Sequence, residues 1–312
     1  PTGLTPRKAN GADSCLNIFR TSMLFSLSGS DMTPHGVLRP HSQNHSHHAW
    51  LVLECPRFGS THRPGFFNHD SDGVLMIKAV SFDFYNTLVR FWPPLEEIQR
   101  AACHELGLTV REDAITHGYA VADVLFNREN EEHPLSQRSE EDRLEFFARY
   151  EQLILETASI PGTLDLAKRV WKMAMSVPKD FIPFNDTVPA LKQLREAGYK
   201  VGIITNLRRD LNEMCEKVGL APYLDFTVGS EEVGKEKPHA PIFMAALERV
   251  DAAPEEVVHV GDQVRSDVMG AQGVGMRAVL IDRSGYGPNG ADCPTIASLS
   301  ELGELLEKLD QA

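Results

Sequence analysis

The chain has 312 residues, of which 42% are hydrophobic and 24% are charged, and its formal net charge is −13. These values predict a globular protein of about two domains and exclude collagen-like, coiled-coil and small disulfide-stapled classes. The acidic balance argues against nucleic acid or an anionic membrane as a partner, because phosphate contacts need clustered Lys and Arg.

The cysteine pattern bears on the compartment. The chain has five widely spaced cysteines and no C-x-x-C pair: Cys15, Cys55, Cys103, Cys215 and Cys293. This spacing favours reduced thiols in a cytoplasmic protein over a zinc ribbon or a redox pair. No run of about 18 apolar residues occurs, so the sequence predicts no membrane span.

Residues 1–75 differ from the rest of the chain. They are rich in Ser, Asn, Pro and His, and they show no sustained helical or strand period. Such a segment buries too little apolar surface to offset chain entropy, so it is predicted to be a disordered or non-native N-terminal extension that precedes a folded start at Met76. Its cluster His45, His47 and His48 is a candidate transition-metal site, although nothing fixes its geometry and a solvated polar tract is the simpler interpretation.

Beyond Met76, apolar runs alternate with segments of helical length. The predicted strands are Ile77–Asp83, Val201–Thr205, Val257–Asp262 and Ala278–Ile281. The predicted helices that accompany them are Val188–Ala197, Pro241–Val250, Val264–Gln272 and a closing helix Ser298–Leu309 with Ser300 as its cap. This alternation predicts an α/β fold with a parallel sheet, in which ligands bind beyond the carboxyl ends of the strands.

The alternation is interrupted from about Phe91 to Pro183, where no strand pattern occurs. Four helical patterns fill this stretch: Leu95–Leu106, Arg111–Glu129, Glu140–Thr157 and Leu164–Met175. We therefore predict an α/β core made of residues 76–91 and 184–312. An all-helical cap, residues 92–183, is inserted after the first strand and covers the site.

Polar residues end the first two strands. Asp83 follows the first and is either a nucleophile or an ordinary turn former. Thr205 and Asn206 end the second, where they supply a hydroxyl and an amide to a site or else cap the helix that begins at Leu207.

Two later segments add charge at the same edge. Lys237-Pro238 is predicted to open a helix, and the Lys either neutralises an anionic intermediate or lies on the surface. Asp262 and Asp267 follow the third strand, with Gly261 freeing the backbone. Hard carboxylate oxygens from two strand ends suit a six-coordinate magnesium ion, and the alternative is a capped helix start.

Together these residues resemble the four motifs of the haloacid dehalogenase superfamily of hydrolases, over residues 76–312. The motif positions are Asp83 with Thr87, Thr205, Lys237, and Asp262 with Asp267. The resemblance implies a Rossmann-like core, a covalent aspartyl intermediate on the nucleophile Asp83 and usually magnesium. It further implies that Thr205, Asn206 and Lys237 assist catalysis. The metal is then held by Asp83, the backbone carbonyl of Tyr85 and Asp262, with Asp267 in support.

Tyr85 departs from the pattern of the phosphatases in this superfamily, which usually carry an acid/base Asp at this position. The D-x-Y-x-T form is similar to that of the 2-haloacid dehalogenases. Halide leaves without a proton, whereas an alkoxide needs one, and a positioned acid is worth about 10²–10⁴ in rate. Tyr85 is therefore either a proton donor or a packing residue. In the second case aryl or acyl phosphates are the expected substrates.

The other carboxylates favour a phosphatase, because Asp262 beside Asp83 is repulsive without a cation. We therefore expect a Mg²⁺-dependent phosphatase acting on a small phosphorylated metabolite. The first alternative is a metal-independent 2-haloacid dehalogenase, which needs an Arg for the substrate carboxylate; Arg111 and Arg128 are candidates. The second is a non-catalytic protein that binds a ligand or partner.

Overall fold

The computed structural model describes residues 76–133, 135–287 and 291–311. The predicted disorder of residues 1–75 and the predicted metal site at His45, His47 and His48 lie outside the described residues. No helix within the described part of the chain has both the length and the apolar character needed to cross a bilayer.

The described residues form eight strands. The strands are β1 (Ala79–Phe82), β2 (Val89–Trp92), β3 (Asp180–Pro183), β4 (Lys200–Thr205), β5 (Phe226–Gly229), β6 (Val257–Gly261), β7 (Arg277–Ile281) and β8 (Thr295–Ile296). Six of them make one parallel sheet in the order β5-β4-β1-β6-β7-β8. The predicted α/β, Rossmann-like fold is therefore confirmed.

The sheet is buried on both faces, as parallel sheets are. On β1, Val80 and Phe82 belong to the apolar cluster of one face, whereas Ala79 belongs to the cluster of the other. Ile203 and Ile204 on β4 divide between the faces in the same way. Because both faces are apolar, the sequence shows continuous apolar runs rather than an alternating pattern.

The helices extend over α1 (Leu95–Glu105), α2 (Glu112–Glu132), α3 (Glu140–Thr157), α4 (Leu164–Ser176), α5 (Thr187–Glu196), α6 (Leu211–Lys217), α7 (Ser230–Val233), α8 (Ala240–Val250), α9 (Gly270–Gln272) and α10 (Leu302–Leu309). Two predicted helices begin differently in the structure. The segment predicted as Val264–Gln272 begins as a π-helix over Val264–Met269. The cap of the last segment is Ser298 rather than Ser300, because its first turn, a 3₁₀ turn, begins at Leu299.

Helices α1 to α4 form the helical insert, which is the name used below for these four helices. Small apolar clusters hold them together, and Phe147 stacks on Trp171 with ring centroids 4.6 Å apart. The helix positions agree with the four predicted helical patterns. The division of the chain into a core and a cap at residues 92 and 183 stays a prediction.

The expectation of no strand near the ends of this stretch is wrong. Strands β2 and β3 pair antiparallel, with Phe91 opposite Phe181, and their rings stack with centroids 4.6 Å apart. Each strand has four residues, too few to display a period, and its partner lies about ninety positions away. Local pattern therefore gives no signal for this two-stranded ribbon, which leads into and out of the helical insert.

Candidate active site

Asp83 follows β1 directly, at the carboxyl edge of the sheet. Its backbone N–H donates to the Val260 carbonyl of the neighbouring strand at 2.9 Å, which continues the β1–β6 ladder for one more residue. The side chain is 13% exposed, so the carboxylate lies in a recess that solvent still reaches. Strand pairing therefore fixes the place of this carboxylate, as the sequence predicts.

Lys237 connects two carboxylates. Its Nζ donates to Asp83 Oδ1 and to Asp267 Oδ1, each at 2.6 Å, and its side chain is 2% exposed. The prediction that Lys237-Pro238 opens a helix is wrong, because α8 begins at Ala240 and both residues lie in the turn before it. The turn lets the side chain reach back across the strand ends.

Asn206 fixes the backbone of that turn. Its Oδ1 accepts the Lys237 backbone N–H at 2.7 Å, and its Nδ2 donates to the Lys237 carbonyl at 3.1 Å. The amide is therefore used to hold Lys237. Thr205, before it, is buried, and its Oγ1 accepts the Leu207 N–H at 3.2 Å. The predicted catalytic roles of both residues stay predictions.

Asp267 is fully engaged by protein donors. Its Oδ1 accepts Lys237 Nζ and lies 3.3 Å from His259 Nε2, and its Oδ2 accepts the Gln263 N–H at 2.9 Å. The chain at Gly261 passes so close that an added Cβ would lie 2.2 Å from Asp267 Cγ. A glycine is required there for space, and the predicted supporting role of Asp267 in a metal site stays a prediction.

The Lys237 pair decides the charge state of the centre. Burial disfavours the charged forms of Lys237 and Asp267, but their mutual attraction is stronger. The pKa of Lys237 is therefore raised and the pKa of Asp267 is lowered. Burial and the nearby Asp267 raise the pKa of Asp83 to about 6, against the pull of Lys237. Near neutral pH Asp83 is therefore mostly a carboxylate, which is the form needed for nucleophilic attack.

Asp262 is the poorly satisfied carboxyl of the site. Its Oδ2 accepts Asn86 Nδ2 at 2.9 Å, whereas its Oδ1 is buried and has no hydrogen-bond partner. Burial, Asp83 and Asp267 raise the pKa of Asp262 well above its ordinary value. A buried carboxylate oxygen without a partner is costly unless a cation or a proton occupies it.

These donors fit magnesium. Among the described residues no group of three or more His, Cys, Asp or Glu side chains is arranged to hold a metal. Magnesium does not need such a group, since it binds through one or two carboxylates and keeps several waters. Asp83 and Asp262 supply two carboxylates, and the orphaned Asp262 oxygen is available to a cation.

Tyr85 is held by its ring. The ring centroid lies 4.9 Å from that of Phe91 and 5.9 Å from that of Phe181, both on the ribbon. Tyr85 is 36% exposed. Partial desolvation, followed by the fields of Asp123, Asp262 and Glu96, raises the pKa of the phenol above its ordinary value. Its predicted catalytic and carbonyl-ligand roles stay predictions.

Three further residues were predicted from the sequence to belong to the site: Thr87, Arg111 and Arg128. Thr87 is fully buried, and its carbonyl accepts Arg283 Nη2 at 2.7 Å. Arg111 is exposed and bonded to Asp113, and Arg128 is exposed on the same helix. The structure therefore does not bring Arg111 into the centre formed by Asp83 and Lys237.

Sequence reasoning missed two contacts of the centre. Asn86, which bonds Asp262, has a positive φ of 62°, and an Asn at a turn is the available signal for this conformation. His259 is a polar residue within the apolar run Val257–Val260, and that interruption marks it. Burial lowers the pKa of His259, so its ring is neutral and bridges Ser81 to Asp267.

Known proteins are similar to this chain in sequence or in fold. Residues 77–275 match the family described as haloacid dehalogenase-like hydrolase. A ribulose-1,5-bisphosphate 5-phosphatase from Halopiger xanaduensis is 30% identical over 67% of this chain and 86% of its own length. A glyceraldehyde 3-phosphate phosphatase from Methanopyrus kandleri is 41% identical over 33% of this chain and 45% of its own. The crystal structure of the Bacillus subtilis protein YfnB bound to magnesium aligns over 74% of this chain and 99% of its own at 18% identity, with a TM-score of 0.50.

Proposed function

Because the chain belongs to the haloacid dehalogenase-like hydrolases, we propose that it is a Mg²⁺-dependent phosphatase of a small phosphorylated metabolite, with Asp83 as its nucleophile. One observation carries the choice of phosphatase. The Asp262 oxygen is buried without a partner close to Asp83, an arrangement that favours a bound cation. Two relatives named as phosphatases of phosphorylated sugars or sugar derivatives support the same substrate class.

Each residue then has a defined task. Asp83 attacks phosphorus through a carboxylate oxygen. The Lys237 ammonium stabilises the negative charge of Asp83, because Nζ donates to Asp83 Oδ1 at 2.6 Å. Asp267 and Asn206 hold Lys237 by its ammonium and by its backbone. Thr205, at the end of β4, is proposed to donate a hydrogen bond from its hydroxyl to the phosphoryl group. The roles of these groups are to bind, orient and neutralise.

Magnesium would be held by Asp83, Asp262 and the Tyr85 carbonyl, with Asp267 in support through Lys237. When bound, the ion supplies positive charge against the phosphoryl oxygens. The chain contributes by holding two carboxylates where their charges repel each other in the absence of a cation. Asn86 keeps one Asp262 oxygen in place, and the other oxygen stays available.

A dehalogenase remains the second candidate, because Tyr85 gives the D-x-Y-x-T form. A 2-haloacid carries a carboxylate that needs a cationic partner. The charges that act on Tyr85 belong to the carboxyls Asp123, Asp262 and Glu96. Such surroundings repel the carboxylate of a 2-haloacid and disfavour this candidate.

Comparing phosphate esters with 2-haloacids, each with and without magnesium, tests the proposal. We expect magnesium-dependent release of phosphate and no release of halide. Halide release that persists with a chelator would replace the phosphatase by the dehalogenase. If the chain turns over neither class, the proposal gives way to a non-catalytic binding protein.

A further inference from the structure

Two polar side chains lie within the apolar strands of the sheet. Ser81 on β1 is opposite His259 on β6 in the parallel register, and both residues are almost completely buried. Their neighbours along these strands, Val80 and Val260, belong to the apolar core. Two apolar side chains of the same shape would stabilise the sheet about as well, because a buried hydrogen bond contributes little net free energy to folding. The sheet itself therefore does not require a polar pair at this place.

Contacts on three sides fix the His259 ring. Its Nδ1 lies 3.0 Å from Ser81 Oγ, and its Nε2 lies 3.3 Å from Asp267 Oδ1. The ring also packs edge to face against Phe243 of α8, with ring centroids 5.4 Å apart. The imidazole therefore cannot turn without losing two buried hydrogen bonds.

The same contacts assign the proton of the ring. An ionised carboxylate only accepts, so Nε2 carries the hydrogen that is donated to Asp267 Oδ1. Nδ1 then presents a lone pair, which accepts the Ser81 hydroxyl. The other acceptor within reach of that hydroxyl is the Val258 carbonyl, which is more distant at 3.4 Å. Ser81 therefore stabilises the tautomer in which His259 faces Asp267 with a donor.

His259 reaches the proposed nucleophile through two further hydrogen bonds. Lys237 Nζ donates to Asp267 Oδ1 and to Asp83 Oδ1, each at 2.6 Å, so two carboxylates share one ammonium. The His259 donor and the Gln263 N–H hold both oxygens of Asp267 in place. The His259 donor also takes up part of the charge of the oxygen that Lys237 contacts. In a buried network each such donor affects its neighbours, so Lys237 stays available to Asp83.

We propose that His259, oriented by Ser81, is a positioning residue for the proposed nucleophile. Its Nε2–H holds Asp267 so that Lys237 stays shared between Asp267 and Asp83. This inference rests on the proposed function. Because His259 acts on the group that attacks and contacts none of the groups proposed to bind the substrate, its loss should lower kcat and leave KM nearly unchanged.

Turnover of p-nitrophenyl phosphate with magnesium by His259→Leu and His259→Gln tests the donor. Leu fills the space without a donor, whereas the Gln amide can again donate to Asp267. We expect Leu to lower kcat per folded molecule about 10- to 100-fold, as the loss of an outer partner of a site residue does. KM should stay near wild type, and Gln should restore most of the lost kcat.

Two buried hydroxyls make a matched pair for the same assay. Ser81→Ala should lower kcat, but by less than His259→Leu, because the ring keeps its place and can adopt the other tautomer. Thr187→Val removes a hydroxyl that is equally buried and donates to the Leu88 carbonyl at 2.7 Å. No hydrogen bond joins that hydroxyl to Lys237, so this control should keep the wild-type kcat.

Proton–nitrogen NMR of the imidazole nitrogens measures the tautomer without any turnover. We expect a proton on Nε2 and none on Nδ1 of His259 in wild type, and a mixture of the two tautomers in Ser81→Ala. The spectrum of His259→Gln identifies the His259 signals by their loss.

The outcomes separate the inference from the proposed function. A wild-type His259 protonated at Nδ1 overturns the inference, as does an equal loss of kcat in the Gln and Leu variants or a change in KM alone; each leaves the phosphatase intact. If His259→Leu does not fold, a mixed tautomer with wild-type kcat in Ser81→Ala overturns it as well. A wild-type chain that releases phosphate from no ester overturns the proposed function, and this inference falls with it.

Discussion

Lys237 Nζ and Asp83 Oδ1 lie 2.6 Å apart although 154 positions separate them in the chain. The contact exists because β1 and the turn before α8 meet at one edge of the sheet. Both side chains are largely withdrawn from water, so the pair interacts more strongly than a surface ion pair. The charge of the proposed nucleophile is therefore set by a residue that local sequence does not connect to it.

Replacing Lys237 by Met should remove both activity and stability. The change leaves Asp83 and Asp267 without the buried ammonium that compensates them, and breaking a buried pair costs about 3–5 kcal/mol. We expect a lower free energy of unfolding in urea and a loss of aryl phosphate turnover. Lys235→Met, two residues earlier and exposed, is the control and should change neither. A stable, active Lys237→Met would contradict the role given to the ammonium.

Replacing Asp262 by Asn should have opposite effects with and without magnesium. Without the ion, Asn removes a buried carboxyl whose ionisation beside Asp83 is unfavourable, and it should raise the melting temperature. With the ion, the variant should lose most of the magnesium affinity that calorimetry measures in wild type. If binding and turnover both survive the change, the metal site does not include Asp262.

Replacing Glu151 by Gln should flatten the pH dependence of stability. Burial raises the pKa of Glu151 from 4.5 to about 8, so between these values the folded state binds more protons than the unfolded state. Stability contributed by this group is therefore present below pH 4.5 and lost as pH rises toward 8, by at most about 1.4 kcal/mol per pH unit. Gln cannot ionise, and it keeps an oxygen to accept Gln99 Nε2.

Urea unfolding at pH 5 and pH 8 measures this effect. Wild type and Glu145→Gln, a change at an exposed position on the same helix, should both lose stability between the two pH values. Glu151→Gln should lose less. Equal losses in all three proteins would show that Glu151 is not held neutral in the fold.

Replacing Tyr85 by Phe should leave turnover within a few fold of wild type for aryl and alkyl esters. Phe keeps the ring contacts with Phe91 and Phe181 and removes only the phenol. A selective loss on the alkyl ester would show that Tyr85 is the proton donor.

The sequence predicted four of the six strands of the sheet and part of the centre, and it missed β5 and β8. Apolar runs ending in Asp83 and Asp262 predict strand ends, and parallel pairing gathers strand ends at one edge. That rule does not place Lys237, which lies in the turn before α8 and not at a strand end. It does not predict which oxygen stays unpartnered, because the Asn86 contact depends on the backbone conformation of the turn.

Contacts between distant elements could not be predicted. The β2–β3 ribbon joins two four-residue strands, whose local pattern has no period. Asp123 and Tyr150 are twenty-seven positions apart on neighbouring helices, and their bond depends on how α2 and α3 pack. Helical periodicity gives the buried face of each helix but not the register between two of them. Contacts of this kind therefore emerge only with the structure.

The most direct test of the central claim is mass spectrometry of the protein quenched during turnover of an aryl phosphate. Asp83 as the nucleophile of a magnesium-dependent phosphatase predicts one added phosphoryl group on the peptide that contains Asp83. The group should appear with magnesium, be absent with a chelator and be absent in Asp83→Asn. A peptide unmodified by the aryl phosphate but esterified by 2-chloropropionate without metal would contradict the claim.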